Sequence, residues 1–467
     1  MMDEKISPKV IGAIIAAGIM SFSGVVVETS MNITFPTLMN EFNISTSTVQ
    51  WMTTSYLLIV AMIVPISAIL KRNFKTKNLF IIANLLFILG LALDAFAPNF
   101  LILLLGRIIQ GFGTGIALPL MFNIILDQVP VSKIGMMMGI GSLITAIAPA
   151  IGPTFGGIVV SSLGWRFIFI FLLPLLIISL IVGLTSIQQA SKIVRTHFDI
   201  PSFIWIIVTF FGLVFGFSNM GQDGFLSVNV ILPILIGLIG LFLLVHRSNR
   251  IDHPIINLRV LTNHGFAGHV FSFFVLQILT LGLSFILPNY VQLVNGSSAS
   301  LAGILVFPGA ALGAVMSPFT GRILDKMGPK LPLMLGSALG ILGLVLYTIF
   351  GMHLSNWMIC VFYIIYMACL GLSFGNIMTN GLSYLPEKQN ADGNAILTTL
   401  QQLAGAVGTS LVAAIVAQSQ MAPGVNKALK TSIGSEHAFI FLLILVIIQS
   451  VVLFKVVVLG HKKAINK

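Results

Sequence analysis

Residues 165–187 read WRFIFIFLLPLLIISLIVGLTSI, and after Arg166 no Asp, Glu, Lys or Arg occurs until Lys192. As a helix rising 1.5 Å per residue, this stretch is about 34 Å long, enough to cross a hydrocarbon core of roughly 30 Å. Only helices and closed barrels satisfy their backbone in that medium. The apolar residues here run continuously and do not alternate, so the stretch reads as a helix and not as a barrel strand.

Working outward, runs of the same kind recur along the chain. They predict membrane helices at about 10–35, 49–70, 78–97, 100–127, 135–162, 165–187 and 201–220. Further helices are predicted at about 226–246, 265–289, 299–323, 331–351, 355–382, 394–417 and 437–459. Composition agrees. Of 467 residues, 57% are hydrophobic and 8% are charged, against about 25% charged in a soluble domain. The chain therefore reads as an all-α polytopic membrane protein of fourteen transmembrane helices.

The net charge of +11 would suit a nucleic-acid partner if it formed a stripe or arm, but the basic residues lie in short gaps between the apolar runs. Their distribution orients the chain. Lys71, Arg72, Lys75, Lys77, Lys133, Lys192, Arg195, Arg247, Arg250, Arg259, Lys326, Lys330 and Lys388 fall in one set of gaps. Lys5, Lys9, Lys462, Lys463 and Lys467 at the termini join them, whereas the opposite gaps hold only Arg166, Lys427 and Lys430. Both termini are therefore predicted to be cytoplasmic, as an even number of spans requires. The N-terminus lacks a small-residue cleavage site after a short core and reads as a retained first helix. Cys360 and Cys369 share one apolar run at neither metal-ligand nor redox-pair spacing, so they read as buried thiols.

The stretch Gly321-Arg322-Ile323-Leu324-Asp325-Lys326-Met327-Gly328 closes the tenth helix, and residues 67–77 take the equivalent place after the second. This distant echo suggests two six-helix bundles, 1–190 and 263–467, with two inserted helices in 191–262. Such repeats commonly enclose a site near the membrane midplane.

Several motifs then carry a family resemblance over nearly the whole chain. They are Glu28-Thr29 with Asn32 and Pro36, Val49-Gln50-Trp51 with Tyr56-Leu57-Leu58, and Arg107-Ile108-Ile109-Gln110-Gly111 with Gly113. Gly152-Pro153 with Gly156-Gly157, Gly164-Trp165-Arg166 and Pro174 follow. Leu287-Pro288, Tyr290, Gln292, Gly303, Pro308-Gly309 and Asp325 continue the order. Together these resemble the fourteen-helix drug:proton antiporters of the major facilitator superfamily, the EmrB/QacA type. The resemblance implies a major facilitator fold and a functional monomer in the cell membrane that exchanges protons for lipophilic, often cationic compounds. Glu28, Asn32, Gln110, Tyr290 and Gln292 would line the substrate cavity. Asp325 and the helix-five residues Gly152, Pro153, Gly156 and Gly157 would serve gating. Two departures stand out. Ala68, Arg72 and Lys75 replace the small and acidic residues of the first cytoplasmic loop motif, and Gln401 replaces an arginine beside Gln402.

Glu28 is the one carboxylate well inside a predicted span. An acid there costs about 2.5–3.5 kcal/mol on insertion scales, so it faces protein and not lipid. It is either a hydrogen-bonded structural acid or a group that holds a proton and a substrate cation by turns. Arg107 is the candidate counter-cation, since both residues lie roughly 10 Å below the same boundary at 1.5 Å per residue. Gln110, one turn from Arg107, shares either role. Asp94 is a third candidate for proton coupling, although its place near the end of the third helix also fits an interfacial acid. Asp127, at the far end of the fourth helix, reads as interfacial.

No paired acids, metal-ligand cluster or nucleophile–base spacing suggests an enzyme. No glycine loop ending in Lys-Ser/Thr suggests ATP drive, and no cofactor or metal is expected. The remaining alternatives are a narrow exporter of an endogenous metabolite, lipid or peptide, and a membrane sensor that binds without transport.

Overall fold

The structure, a computed structural model, describes residues 6–190, 193, 198–251, 254–386, 389–422 and 426–459. Outside these lie Lys5, Lys192, Arg195, Lys388, Lys462, Lys463 and Lys467 of the loop-charge pattern, and the side chains of Ala68 and Asp325. The long helices in chain order are α1 (Pro8–Phe42), α2 (Thr46–Ile66), α3 (Thr76–Ala95), α4 (Phe100–Gln128) and α5 (Val131–Ser162). Next come α6 (Arg166–Ser186), α7 (Ile200–Asp223), α8 (Val228–Ser248), α9 (His264–Leu293) and α10 (Ala299–Met327). The series ends with α11 (Lys330–Phe350), α12 (Asn356–Leu382), α13 (Asn390–Met421) and α14 (Lys427–Leu453). Among the described residues, 13 helices are long and apolar enough to cross a membrane, while α5 contributes the shorter apolar segment Ile147–Ser162.

Helix ends follow local chemistry. Asn99, Asn263, Ser298, Ser355 and Asn426 each accept a backbone N–H of the first turn of α4, α9, α10, α12 and α14, a cap that relieves an otherwise orphaned donor. Two boundaries differ from expectation. The first helix was predicted to stop near Pro36. It instead passes through a 3-10 turn, Asn32–Thr34, into Phe35–Phe42, where Pro36 lies in the first turn and its missing N–H costs nothing. The tenth helix runs to Met327 and is closed by Gly328 at φ 74. Asp325 therefore lies in a last helical turn and not in a loop.

Helix α1 packs against α4, α5 and α6, and α3 lies against α4 and α6. Later in the chain α9 packs against α12, α13 and α14, while α11 packs against α12 and α14. The most extensive contacts between these groups are α5 with α10 and α2 with α13, and the end of α1 also meets α9 and α10. The α5 contacts require small residues. A Cβ at Gly156 would lie 2.7 Å from the carbonyl oxygen of Ser30, one at Gly152 would strike the Thr29 hydroxyl, and one at Gly157 would strike the Ala299 carbonyl. Thr154 Oγ1 donates to the Gly303 carbonyl at 3.1 Å across the same seam, and the Pro153 carbonyl abuts Gly303.

Helices α7 and α8 form a hairpin. α7 packs on α13 and α2, but α8 meets chiefly α7 and exposes Leu232, Leu235, Ile239 and Phe242. Apolar side chains outward on a helix this long match a hydrocarbon surround. At the opposite extreme from α8, α2 is almost wholly enclosed.

Candidate functional site

Charged groups inside an apolar bundle need partners, because an unpaired buried ion costs several kcal/mol. Following the partners of Arg107 therefore outlines the site. Arg107 is fully buried in α4. Its Nε donates to the Met52 carbonyl of α2 at 3.2 Å, and its Nη1 donates to Gln110 Oε1 at 2.6 Å. The guanidinium lies 4.2 Å from the ring centre of Tyr56, a favourable cation–π distance. The Tyr56 hydroxyl donates to the Gly24 carbonyl of α1 at 3.0 Å, one turn before Glu28.

The chain of contacts continues to α3. Gln110 Nε2 donates to Asp94 Oδ2 at 2.6 Å, so the glutamine amide carries Arg107 on its carbonyl and Asp94 on its nitrogen. Gly106 and Gly90 allow this approach. A Cβ at Gly106 would overlap Asp94 Oδ1, and one at Gly90 would meet the Gly106 carbonyl at 2.7 Å. Asp94 is completely buried, with Gly106 of α4 directly against its carboxylate.

Glu28 is 8% exposed and interacts electrostatically with both Arg107 and Tyr56. No ion pair within 4.0 Å joins Glu28 to Arg107 among the described residues. Glu28 thus sits within the field of a buried cation without being locked to it.

The other predicted residues are dispersed. Asn32 Oδ1 accepts the Thr53 hydroxyl at 3.0 Å, linking α1 to α2 beside the charged group. Gln292 Nε2 donates to the Ile33 carbonyl at 3.0 Å, bridging α9 to the next residue along. Tyr290 is buried, and its hydroxyl accepts the Leu354 N–H at 3.2 Å in the loop between α11 and α12. That contact turns it away from the Glu28 group. Gln110 faces Asp94 and Arg107. Asp127 pairs with Lys71 at 2.8 Å, both partly exposed, as an interfacial acid does.

Sequence reasoning passed over Tyr56 as a functional side chain. A signal was present, since Thr53-Thr54-Ser55-Tyr56 interrupts an otherwise apolar helix. All four are buried. Among the described residues no group of His, Cys, Asp and Glu could hold a metal ion.

Comparisons with known proteins identify the family. Residues 17–409 match the Major Facilitator Superfamily. The chain is similar to the lincomycin resistance protein LmrB of Bacillus subtilis (strain 168), at 38% identity over 462 residues, covering 95% of this chain and 94% of that protein. It is 36% identical over 451 residues to the protein of the same name from Listeria innocua serovar 6a (strain ATCC BAA-680 / CLIP 11262), covering 95% of each. Its fold resembles that of a bacterial homolog of the human lysosomal transporter Spinster in an inward-facing, unoccupied conformation. There the TM-score is 0.72 at 15% identity, over 97% of this chain and 98% of that one. The chain is a multi-pass membrane transporter, not an enzyme, and it belongs to the Major Facilitator Superfamily.

Proposed function

We propose that the protein exports lipophilic, often cationic compounds by proton antiport with alternating access, in the manner of the fourteen-helix drug exporters. The observation that carries this reading is Glu28, a nearly buried carboxylate within the field of Arg107 but not ion-paired to it. Antiport needs a group at which proton and substrate compete, and burial favours the protonated acid while a nearby cation favours the ionised one. Glu28 is that group. Arg107, held by Met52, Gln110 and Tyr56, is the fixed counter-charge. Relatives named for lincomycin resistance support drug efflux, and because that name specifies one antibiotic, a narrower cargo is the second reading.

The proposal includes an architecture. Helices α1–α6 and α9–α14 form two six-helix bundles, residues 1–190 and 263–467, and the α7–α8 hairpin is an insertion. The helix packing supports this division. Fourteen spans leave both termini cytoplasmic, which the loop charges favour. Hydrogen bonds joining the two groups of helices include Thr46 to Gln420, Gln292 to Ile33, the Ser300 N–H to Ser161, and Ser410 to Gln50. These gather at the end assigned to the exterior, which supports a closed outer face.

Purified protein reconstituted in liposomes tests the mechanism. Adding a cationic substrate should release protons from the wild type and not from Glu28→Gln, while Glu28→Asp retains part of the response. Unchanged proton release and unchanged pH-driven flux in Glu28→Gln would remove Glu28 from the mechanism. A dye and antibiotic panel in the same liposomes separates broad from narrow cargo. For orientation, a cysteine replacing Ala428 should react with an impermeant thiol reagent on intact cells, and one replacing Asn73 only after permeabilisation.

A further inference from the structure

The buried cluster holds one cation and two acids. If both acids were ionised, the group would carry net negative charge inside the bundle, which is costly where the surround is apolar. Each acid interacts with Arg107, so one cation would have to balance two anions. The surroundings of Asp94 bear on which one is neutral. Asp94 Oδ2 is bonded to Gln110, but Asp94 Oδ1 is buried with no hydrogen-bond partner. Oδ1 and the carbonyl oxygen of Gly90 both crowd the space where a Cβ of Gly106 would sit. An enclosed carboxylate oxygen can only accept, whereas a carboxyl O–H there could donate to the Gly90 carbonyl, four residues back on the same helix. Thr29 makes such a bond to Val25 at 2.9 Å, and short polar side chains in helices commonly do so. Arg166 at the start of α6 is already taken up by Glu41 at 2.8 Å and by the Ala97 carbonyl at 2.9 Å.

We propose that Asp94 and Glu28 are alternative seats for the single negative charge that balances Arg107, with Gln110 and Tyr56 connecting them to it. In the conformation described here Asp94 carries a proton on Oδ1 and Glu28 is the anion, so a substrate cation that binds at Glu28 adds a second positive charge and the proton it displaces leaves from Asp94. When Glu28 takes a proton, an O–H bond forms there and the Asp94 O–H breaks, its proton passing to water as Asp94 becomes the anion. One proton enters and one leaves, while the charge beside Arg107 is unchanged. This deepens the antiport reading, resting on Glu28 as the exchangeable acid, and it assigns Asp94 as a second proton-holding residue.

Infrared difference spectroscopy of purified protein at neutral pH, without substrate, reads protonated buried carboxyls directly. The wild type should show one such band, and both Asp94→Asn and Glu28→Gln should lose it, because the one acid left in each must serve as the anion. Absence of the band from the wild type, or its persistence in either variant, overturns the proposal. If Asp94→Asn does not fold, the band in Glu28→Gln alone decides. The double variant leaves Arg107 with no anion, so its loss of thermal stability should exceed the sum of the two single losses; simple additivity also counts against the proposal. A failure of proton-driven export would leave these spectra standing, so the two readings fail separately.

Discussion

The first six long helices and the last six bury different chemistry. In α1–α6 the buried groups include Glu28, Asp94 and Arg107, whereas among the described residues of α9–α14 no Asp, Glu, Lys or Arg is buried. There the enclosed polar groups are hydroxyls, amides and rings. Tyr366 shares a hydrogen bond with Thr280 at 2.8 Å and stacks on Tyr363, and His269 meets the Gly265 carbonyl and Asn380 at 2.8 and 2.7 Å. On the antiport reading proposed above, the difference is a division of labour. Charge that changes during a cycle would be held where a buried cation compensates it, while the later helices supply neutral aromatic and hydroxyl groups of the kind that suit varied apolar cargo.

The largest test of that division is Arg107→Ala. It removes the counter-charge and leaves an ionised acid without compensation inside the bundle, which costs several kcal/mol unless that acid takes up a proton. Proton-driven export in liposomes should fall at least about tenfold, with altered pH dependence. Export within about twofold of the wild type would break the comparison, since the charge in the first half would then be structural.

A smaller effect is expected from Tyr366→Phe, which deletes a hydroxyl and keeps the ring. Losing one buried hydrogen bond costs on the order of 1 kcal/mol. The variant should show an altered apparent affinity for some substrates while substrate-induced proton release per transported molecule stays as in the wild type. A changed proton yield would place coupling in both halves.

The smallest effect belongs to the α7–α8 hairpin, which lies between these two sets of helices in the chain. Asp199, just before α7, accepts from Arg247 Nη2 at 2.6 Å and from the Ser202 hydroxyl. Burial works against its charge, but the hydrogen bonds from Arg247 and Ser202 outweigh it and hold the carboxyl below its ordinary value of 3.8. A depressed folded-state value means the contribution to stability is present above the ordinary carboxylate range and is lost as pH falls through the folded value. Asp199→Asn should therefore lower the thermal midpoint slightly at neutral pH and not in strong acid, leaving proton-coupled export intact. A pH-independent loss would mean that the pair's charge does not stabilise the hairpin.

Much of the fold was legible in the sequence because a bilayer imposes a local demand. Each span needs about 20 apolar residues, and runs such as residues 165–187 meet it within themselves. The buried acid and arginine were legible for the same reason, as Glu28 and Arg107 violate that composition. The spacing Gly152, Gly156, Gly157 likewise announced close helix contact, because only small residues permit it. Helix ends were read less well where proline was taken only as a breaker, as at Pro36.

What the tertiary structure alone decided is who meets whom. Equal depth in α1 and α4 made a Glu28–Arg107 ion pair plausible, but the helices cross so that Tyr56 and Gln110 take the guanidinium and Glu28 remains free of it. Asp94 lies in the last turn of α3, a position that sequence reads as interfacial, yet α4 covers it through Gly90 and Gly106. Tyr290 and Gln292 share a motif two residues apart but point to different neighbours, Leu354 and Ile33. Depth and periodicity are properties of one helix and are written in its composition. Azimuth, crossing and side-chain pairing depend on several helices at once, and only their packing resolves them.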